Sequence, residues 1–425
     1  MVSNIKLLLL IITLSLTAIL SYGQFAKSPF YSFGLGEQFG TQLTQHQGMG
    51  GVGISNPQYL YINNLNPALL IYNQITVFQA GIVGEQRNQS TLEVSEKSGG
   101  TSVNHLAIAM PIIFGKWSTS FALMPYTRLN YSLKYSAPII GLPSSNIYIT
   151  EKGSGGTNEF SFSNGVKILK VLSLGLKASY IFSATVNESS NLLNSNINVT
   201  YISPNIYERN NISAFRFTPG LSLHFDSISK HNIKVNFGIV YELKSNLKSN
   251  YYQRLEQRNA QSILDTVTLV SDRVGSISKP STIGVGFSVG KSYNWVVAID
   301  GSYSNYTKYK DVNGLFPYGT NFWKVGIGAE YQPNPLSLTN YFNRITYRAG
   351  ATIESSPYLV NNLNILDMGA TLGLTFPVGR VSTIDFAIKF GKKGDKNKNK
   401  IEENYIKLYF GVSFNEQWFI KRKFD

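Results

Sequence analysis

Hydrophobic and polar residues alternate with a period of two along most of the chain from about residue 75 onward. In residues 293–303, one parity carries Tyr293, Trp295, Val297 and Ile299, whereas the other parity carries mainly small or polar side chains. Successive side chains of a β-strand point to opposite faces, so each such segment has one apolar face and one small or polar face. The alternation therefore predicts β-strands rather than helices.

The pattern resolves into fourteen segments whose connections alternate between long and short, except for the 11-residue link 332–342. An outer-membrane barrel predicts an even strand number, short periplasmic turns and longer outer loops. Most segments exceed the about 5–6 residues that are usual in soluble sheets, which argues against a soluble β-sandwich. The sequence therefore predicts an all-β fold, a transmembrane antiparallel β-barrel of about 14 strands. The predicted strands are 75–85, 104–114, 116–128, 157–168, 171–187, 212–225, 233–246, 280–291, 293–308, 320–331, 343–354, 365–377, 382–391 and 403–415.

The composition agrees with a barrel in a membrane. Only 15% of the residues are charged, against roughly 25% in soluble globular proteins. Aromatic residues make up 13% of the chain and Gly contributes 37 residues, while the mean hydropathy of −0.06 is too polar for a chain of many membrane helices. The chain has no Cys, which excludes disulfides and thiolate metal sites.

The formal net charge of +14 would ordinarily suggest a nucleic-acid partner. The basic residues are spread along the chain, however, apart from a cluster in residues 392–400, and no recognition-helix or zinc pattern accompanies them. We therefore expect no nucleic-acid partner. In a barrel whose termini face the periplasm the cluster lies in an outer loop, where it either pairs with anionic lipid head groups or phosphates or remains solvated.

The first residues have the pattern of a secretory signal peptide. Lys6 precedes the apolar run 7–20, and Ser21 and Gly23 supply small residues at the −3 and −1 positions of a cleavage site. The run is shorter than the roughly 20 residues that a helical membrane anchor needs. We predict a signal peptide over residues 1–23. Together with the barrel, it predicts localisation in the outer membrane of a Gram-negative cell.

A glycine-rich motif lies ahead of the barrel in residues 24–74, which we call the N-terminal segment. Residues 48–53 match G-x-G-x-x-G, a fingerprint of dinucleotide sites. Such a site needs a strand before it, a helix after it and an acidic residue about 20 positions further on. Here Pro57 follows closely and the next acidic residue is Glu85. We therefore expect no nucleotide site and no cofactor.

Several short motifs resemble those of one membrane-protein family. Residues 48–55, followed by 64–69, look like the N-terminal signature of the FadL/TodX-type (OMPP1) outer-membrane transporters of long-chain fatty acids and aromatic hydrocarbons. Residues 31–36 resemble the opening of the Bacteroidetes branch of that family. Residues 369–377 and 403–419 contain stretches similar to its closing strands.

The resemblance implies that the N-terminal segment forms a hatch inside the lumen of a barrel built from residues 75–425. A fourteen-stranded barrel is too wide for its own side chains to fill, so a segment of about 50 residues has room there. Glycines would let this segment approach the wall closely, and Asn66 would cap a turn or helix that starts at Pro67. The predicted hatch motif consists of Gly48, Gly50, Gly51, Gly53, Asn66, Pro67 and Ala68.

By the same resemblance, we expect a membrane-embedded channel for passive uptake of hydrophobic or amphipathic small molecules such as long-chain fatty acids. A second hypothesis is a non-transporting FadL-like barrel that acts as a subunit or shuttle of a protein secretion system of the type IX kind, with periplasmic or secretion-system proteins as partners. A porin for polar solutes is the third hypothesis, and the plug-like N-terminal segment argues against it.

Nothing in the sequence indicates a catalytic or metal-binding site. None of the four histidines has a metal-ligand spacing and no nucleophile signature is present, so we expect neither a metal site nor an enzyme. By strand parity, Lys177, Arg216 and Asp300 lie on the lumen face. A cation there would hold an anionic head group through charge-assisted hydrogen bonds. The alternative is that these charges pair with the hatch or with each other.

Pro125 interrupts the third predicted strand. In a closed barrel, a proline removes a ladder hydrogen bond and favours a bulge or kink. At a tilt near 40° the residue lies roughly 23 Å above the short turn at Gly115. The family resemblance implies sideways release of ligand where the third strand bends inward, so Pro125 is predicted to mark a lateral opening. The alternative is a bulge at the barrel rim.

Overall fold

The computed structural model describes residues 25–32, 34–139, 142–194, 203–225, 232–258, 262–291, 293–312, 314–315, 319–378 and 382–416. The predicted signal peptide, residues 1–23, lies outside the described residues, as do Trp418 and Phe419 of the C-terminal motif. Within the described ranges, no helix is both long enough and apolar enough to cross a membrane.

Fourteen antiparallel strands form a closed barrel, which confirms the predicted fold class. Closure is made by the first and last strands, which pair from Thr76 opposite Glu416 to Ser90 opposite Glu402. Three strands are interrupted and continue after one or two residues. The wall strands, numbered in chain order, are β1 Thr76–Ser90, β2 Ser95–Ile113, β3 Trp117–Pro125 continued by Thr127–Ile139, β4 Leu142–Lys167, β5 Leu172–Asn194, β6 Ser203–Phe225, β7 Lys234–Glu242 continued by Ser245–Arg258, β8 Ile263–Lys279 continued by Thr282–Lys291, β9 Trp295–Asn305, β10 Asn321–Tyr331, β11 Thr346–Val360, β12 Leu363–Val378, β13 Ser382–Asp395 and β14 Ile401–Glu416.

Each predicted strand corresponds to one wall strand, but many wall strands are longer. β2 begins at Ser95 rather than at residue 104, and β5 continues to Asn194 rather than to residue 187. The additional residues lie at the end of the barrel opposite the short connection 114–116 between β2 and β3. Most side chains on both faces of these two extensions are polar, so the ladder hydrogen bonds continue where the apolar alternation has stopped. The first part of β8, Ile263–Lys279, was also not predicted, although it carries exposed apolar residues such as Leu264 and Val267.

The two faces of the wall differ as the parity predicts. On β9, Val297 and Ile299 are exposed, whereas Ala298 and Asp300 are buried. The exposed set around the barrel is rich in Leu, Ile, Val, Phe and Tyr, and the buried set is rich in Ser, Thr, Asn and Gly. An apolar outer face with a polar inner face is the arrangement of a barrel that contacts lipid.

The N-terminal segment runs through the interior of this barrel. Its side chains Leu43, Ile62 and Leu70 pack with inward-facing residues of β1, β2 and β3 in one apolar cluster. The segment has little regular structure. Its short elements are the 3₁₀-helices Pro29–Ser32 and Pro67–Tyr72, the two-residue strand Glu37–Gln38 and the single α-helical turn Thr44–Gln47.

One interruption in the wall ladder lies between β2 and β3. Their pairing runs from Ile113 opposite Trp117 to Leu106 opposite Leu123 and stops there within the described residues. Beyond this point β2 pairs only with β1. The second part of β3 pairs with β4 on one side and with the short strand Glu37–Gln38 on the other. We call this interruption the ladder gap.

Candidate functional site

The glycine motif forms a tight turn that packs against wall strands β10 and β12. Gly50 and Gly51 have φ of +67° and +71°, a conformation that glycine adopts without steric cost. The Gly50 N–H donates to Thr371 Oγ1 of β12 at 2.8 Å. A Cβ on Gly50 would lie 2.5 Å from the carbonyl oxygen of Ile327 on β10. Glycine is therefore required here both by the backbone angle and by the closeness of the wall.

Asp300 connects the same motif to β9. Its Oδ2 accepts hydrogen bonds from the N–H of Gly53 at 2.6 Å and from the N–H of Ile54 at 2.8 Å. The side chain is buried, with 8% of the residue exposed. Asp300 lies on the inner face, as parity predicts, and its partners are backbone groups of the N-terminal segment.

Asn66 begins the 3₁₀-helix Pro67–Tyr72 in the way that the sequence predicts. Its Oδ1 accepts a hydrogen bond from the N–H of Ala68 at 3.0 Å, with Pro67 at the first helical position. Its Nδ2 donates to the carbonyl oxygen of Ile54 at 2.8 Å and of Leu221 on β6 at 3.1 Å. One side chain thus caps the helix and joins two parts of the segment to the wall.

A row of wall glycines, which the sequence analysis did not identify, faces the N-terminal segment. Gly165, Gly175 and Gly220 are direct cross-strand neighbours on β4, β5 and β6. A Cβ at Gly175 would collide with the backbone of Pro67 and Ala68. The missing side chains make the space that the segment occupies. The wall glycines whose Cβ would meet the segment include Gly81, Gly165, Gly175, Gly220, Gly238, Gly284, Gly286, Gly326, Gly328, Gly350, Gly373, Gly394 and Gly411.

Lys177 and Arg216 belong to a buried ion network. The Lys177 ammonium lies 3.5 Å from Glu159 and donates to the carbonyl oxygen of Asn64 at 3.2 Å. Arg216 contacts Glu159 and lies 3.1 Å from Glu242. Both cations are on the inner face and both have protein partners. The prediction that they contact a ligand stays a prediction.

A second buried ion network surrounds Arg87 and was not predicted. Its guanidinium contacts the carboxylates of Glu85, Glu403 and, at 3.3 Å, Glu37. The ring of Tyr405 lies 4.9 Å from the guanidinium carbon. Glu403 belongs to β14 and Glu37 to the N-terminal segment, so the network forms only when the barrel closes around the segment.

The N-terminal segment fills the ladder gap by adding backbone to the free edge of β3. Glu37 and Gln38 stand opposite Arg128 and Thr127 in antiparallel register. The Phe39 N–H donates to the carbonyl oxygen of Tyr126 at 2.9 Å. On the same edge, the Ser28 N–H donates to the carbonyl oxygen of Asn130 at 2.9 Å.

Pro125 lies where the ladder between β2 and β3 has ended. The next residue, Tyr126, donates its N–H to the carbonyl oxygen of Thr157 on β4 at 2.8 Å. Successive N–H groups of a strand point to opposite sides, so the ring nitrogen of Pro125 faces β2, where it has no hydrogen to donate. This explains locally why pairing with β2 does not resume after Leu123.

Arg128 is the one side chain that bridges the ladder gap by a hydrogen bond, as far as the described residues extend. Its Nη2 donates to Ser102 Oγ of β2 at 3.0 Å. The guanidinium carbon lies 3.8 Å from the ring centroid of Phe25 and 5.3 Å from that of Phe39. The gap is thus closed by one cation, two aromatic rings and the added backbone.

The histidines His46, His105 and His224 are buried in the interior. His46, in the short α-helical turn, is fully buried, and this burial lowers its pKa to about 3, with contributions from Arg348 and His105. The His46 side chain is therefore a neutral imidazole packed within the N-terminal segment. In the described part of the chain, no three His, Asp or Glu side chains are grouped closely enough to hold a metal ion.

Two interior cavities flank the N-terminal segment. One, of about 180 Å³, lies toward the long-loop end and is lined by charged side chains that include Lys279, Lys324, Glu242 and Glu354. The other, of about 120 Å³, lies at the short-turn end near Tyr59. Drug-sized ligands occupy pockets of roughly 300–1,000 Å³. Neither cavity reaches that size while the segment is in place.

Comparison with family models gives one match that spans the chain, to the model described as BamG over residues 1–425. The chain belongs to the BamG family. Comparison with the curated proteins gives no match.

Solved structures of FadL-like barrels have the same fold. The toluene transporter TodX of Pseudomonas putida matches with a TM-score of 0.56 and 15% identity, over 88% of this chain and 97% of that one. The toluene transporter TbuX of Ralstonia pickettii matches with a TM-score of 0.55 and 13% identity, over 91% and 99%. A Pseudomonas aeruginosa FadL homologue matches with a TM-score of 0.56 and 12% identity, over 90% and 99%. The FadL-like fold predicted from the motifs is confirmed, whereas the Bacteroidetes branch stays a prediction.

Proposed function

We propose that this chain is an outer-membrane channel for the passive uptake of hydrophobic or amphipathic small molecules. The N-terminal segment is its hatch, and the ligand leaves sideways through the ladder gap. The barrels that share the fold include proteins described as toluene transporters and a FadL homologue, which supports a ligand of this class.

The ladder gap is the observation that supports this proposal most directly. In a closed barrel every backbone N–H and C=O of the wall finds a partner in the neighbouring strand. Here the edges of β2 and β3 separate beyond Leu106 and Leu123, and the partner of β3 is a removable segment. Withdrawal of residues 25–39 would open a path from the lumen to the surrounding lipid without unpairing any two wall strands.

A reversible disulfide across the ladder gap tests this exit route. Gln38 and Thr127 are Cα partners in antiparallel register, a spacing that suits a disulfide. The chain has no Cys, so a Gln38→Cys, Thr127→Cys variant contains a single pair. In Gram-negative cells that lack their own transporter, we expect the oxidised variant to lose uptake of radiolabelled laurate and dodecanol, and reduction to restore it.

The matched control is a disulfide that does not cross the ladder gap. Ser90 and Ser95 are Cα partners in the hairpin between β1 and β2. A Ser90→Cys, Ser95→Cys variant should transport equally well when oxidised and when reduced. Equal uptake by the oxidised and reduced Gln38–Thr127 variants would rule out the gap as the route. Absence of uptake by the wild-type protein would rule out the channel itself.

A second candidate function is that of a non-transporting subunit of a protein secretion assembly. Two observations favour it. The interior is filled and strongly charged, with cavities of only about 120 and 180 Å³. At the short-turn end, the link 332–345 presents Leu336 and Leu338 with 84% and 100% of their surface exposed.

Substitution of these two leucines distinguishes the two candidate functions. A Leu336→Ser, Leu338→Ser variant alters no interior contact, so a channel should retain full uptake. A subunit would lose the proteins that cross-link to it in its native membrane while its barrel stays folded.

A further inference from the structure

The ladder gap contains a cation, Arg128, that no carboxylate of the described residues balances. Arg87, Arg216 and Arg348 each contact at least one carboxylate. No carboxylate of the described residues lies within 4.0 Å of the Arg128 guanidinium. Glu37 is its neighbour in register, but the Glu37 carboxylate is taken by Arg87 and Lys393.

The contacts of Arg128 leave hydrogen-bond donors unused. Phe25 and Phe39 lie near the guanidinium, and Nη2 donates to Ser102. Nε is buried and has no hydrogen-bond partner. A guanidinium has five N–H donors in a planar fork that matches a carboxylate. The charge is held in place by contacts that do not neutralise it.

The wall beside this cation is apolar on its outer face. Leu106 and Leu123, the last paired residues below the gap, are exposed, and so is Val103, next to Ser102. An unbalanced cation beside an apolar surface is complementary to a molecule with an anionic head and an apolar tail. A neutral molecule would use only the apolar surface.

We propose that Arg128 determines the specificity of the lateral route by binding the anionic head group of an amphiphile as it passes through the gap. This inference rests on the proposed channel function. Phe25 and Phe39 contact the guanidinium while the segment is in place, and the head group binds when the segment withdraws. A carboxylate-bearing amphiphile is therefore preferred to a neutral molecule of the same chain length.

The test compares laurate with dodecanol, which share a twelve-carbon chain and differ in head-group charge. Uptake of both is measured in the cells described above. The readout is the ratio of the two rates, because any change in how readily the gap opens affects both and cancels. For Arg128→Gln we expect the laurate-to-dodecanol ratio to fall about tenfold, the effect of losing one charge-assisted hydrogen-bond pair.

Two further variants make the outcome specific. Arg128→Lys keeps the charge but not the planar fork, and should lower the ratio by about threefold at most. Lys134→Gln removes a charge from an exposed position on the same strand and should leave the ratio unchanged. Barrel folding is checked for each variant by its compact mobility in unheated detergent gels.

Three results would overturn the inference. An unchanged ratio in Arg128→Gln would mean that the cation does not select the head group. An equal change in Lys134→Gln would mean that only net surface charge matters. Loss of a co-purifying anionic lipid from Arg128→Gln, with no change in the ratio, would assign the cation to a membrane lipid. If cells that carry the wild-type protein take up neither compound, the proposed channel function itself is refuted.

Discussion

The carboxylate of Asp300 on β9 accepts a hydrogen bond of 2.6 Å from the backbone N–H of Gly53, which lies 247 residues earlier in the chain. The same oxygen also accepts the N–H of Ile54. One wall side chain thus satisfies two buried backbone donors of the N-terminal segment. This contact makes Asp300 an anchor of the segment rather than a free charge in the lumen.

Removal of this anchor should loosen the N-terminal segment without unfolding the barrel. In Asp300→Ala, the N–H groups of Gly53 and Ile54 lose their acceptor, which should cost about 2–3 kcal/mol of the free energy that holds the segment in place. We expect more frequent channel openings in planar bilayers. Asp265→Ala, at an exposed position of β8, should behave like wild type. Identical conductance of both variants would show that Asp300 does not hold the segment.

Deletion of residues 25–70 should leave a folded barrel that conducts small polar solutes. Wall pairing from β1 to β14 involves no residue of the deleted stretch, so most ladder hydrogen bonds remain. The free edge of β3 loses its partner Glu37–Gln38, so local loosening is expected beside the gap. A large, constant conductance in planar bilayers is the expected result. A folded variant that conducts no better than wild type would show that these residues do not occlude the lumen.

A side chain at Gly175 should displace the helix Pro67–Tyr72. The Cβ of Gly175→Ala would overlap the backbone of Pro67 and Ala68, and forced repacking of this kind costs about 1–3 kcal/mol. We expect faster proteolysis of the N-terminal segment in the detergent-solubilised protein. Gly301→Ala is the control, because its Cβ would meet nothing closer than 3.9 Å. Equal proteolysis of the two variants would contradict the close contact.

Arg87 should be essential for the interior ion network. Arg87→Met removes the salt bridge of the buried Glu403 and leaves the buried Glu85 with only the more distant Lys407, at 3.9 Å, and breaking a buried pair typically costs about 3–5 kcal/mol. The thermal unfolding temperature in detergent should fall accordingly. Arg209→Met, at an exposed position of β6, is the matched control and should change it little. A similar unfolding temperature for both variants would mean that water or other cations balance the network.

Local patterns in the sequence determined the strands and their number. The alternation of apolar and polar side chains depends only on residues two positions apart, so all fourteen wall strands could be predicted. The cap that Asn66 forms on the helix at Pro67 is also local and was predictable. In β2 and β5 the apolar alternation stops toward the long-loop end although the ladders continue, because most side chains on both strand faces are polar there.

Tertiary structure alone decided which residues meet inside the barrel. The pairing of Arg87 with Glu403 depends on closure between β1 and β14, and the row formed by Gly165, Gly175 and Gly220 depends on the register of three strands. The partner of the free β3 edge is Glu37–Gln38, about 90 positions away in sequence. Pro125 indicated that the ladder was interrupted, but a single residue cannot specify which distant segment fills the interruption. Such contacts are fixed by barrel closure and close packing, which no local pattern encodes.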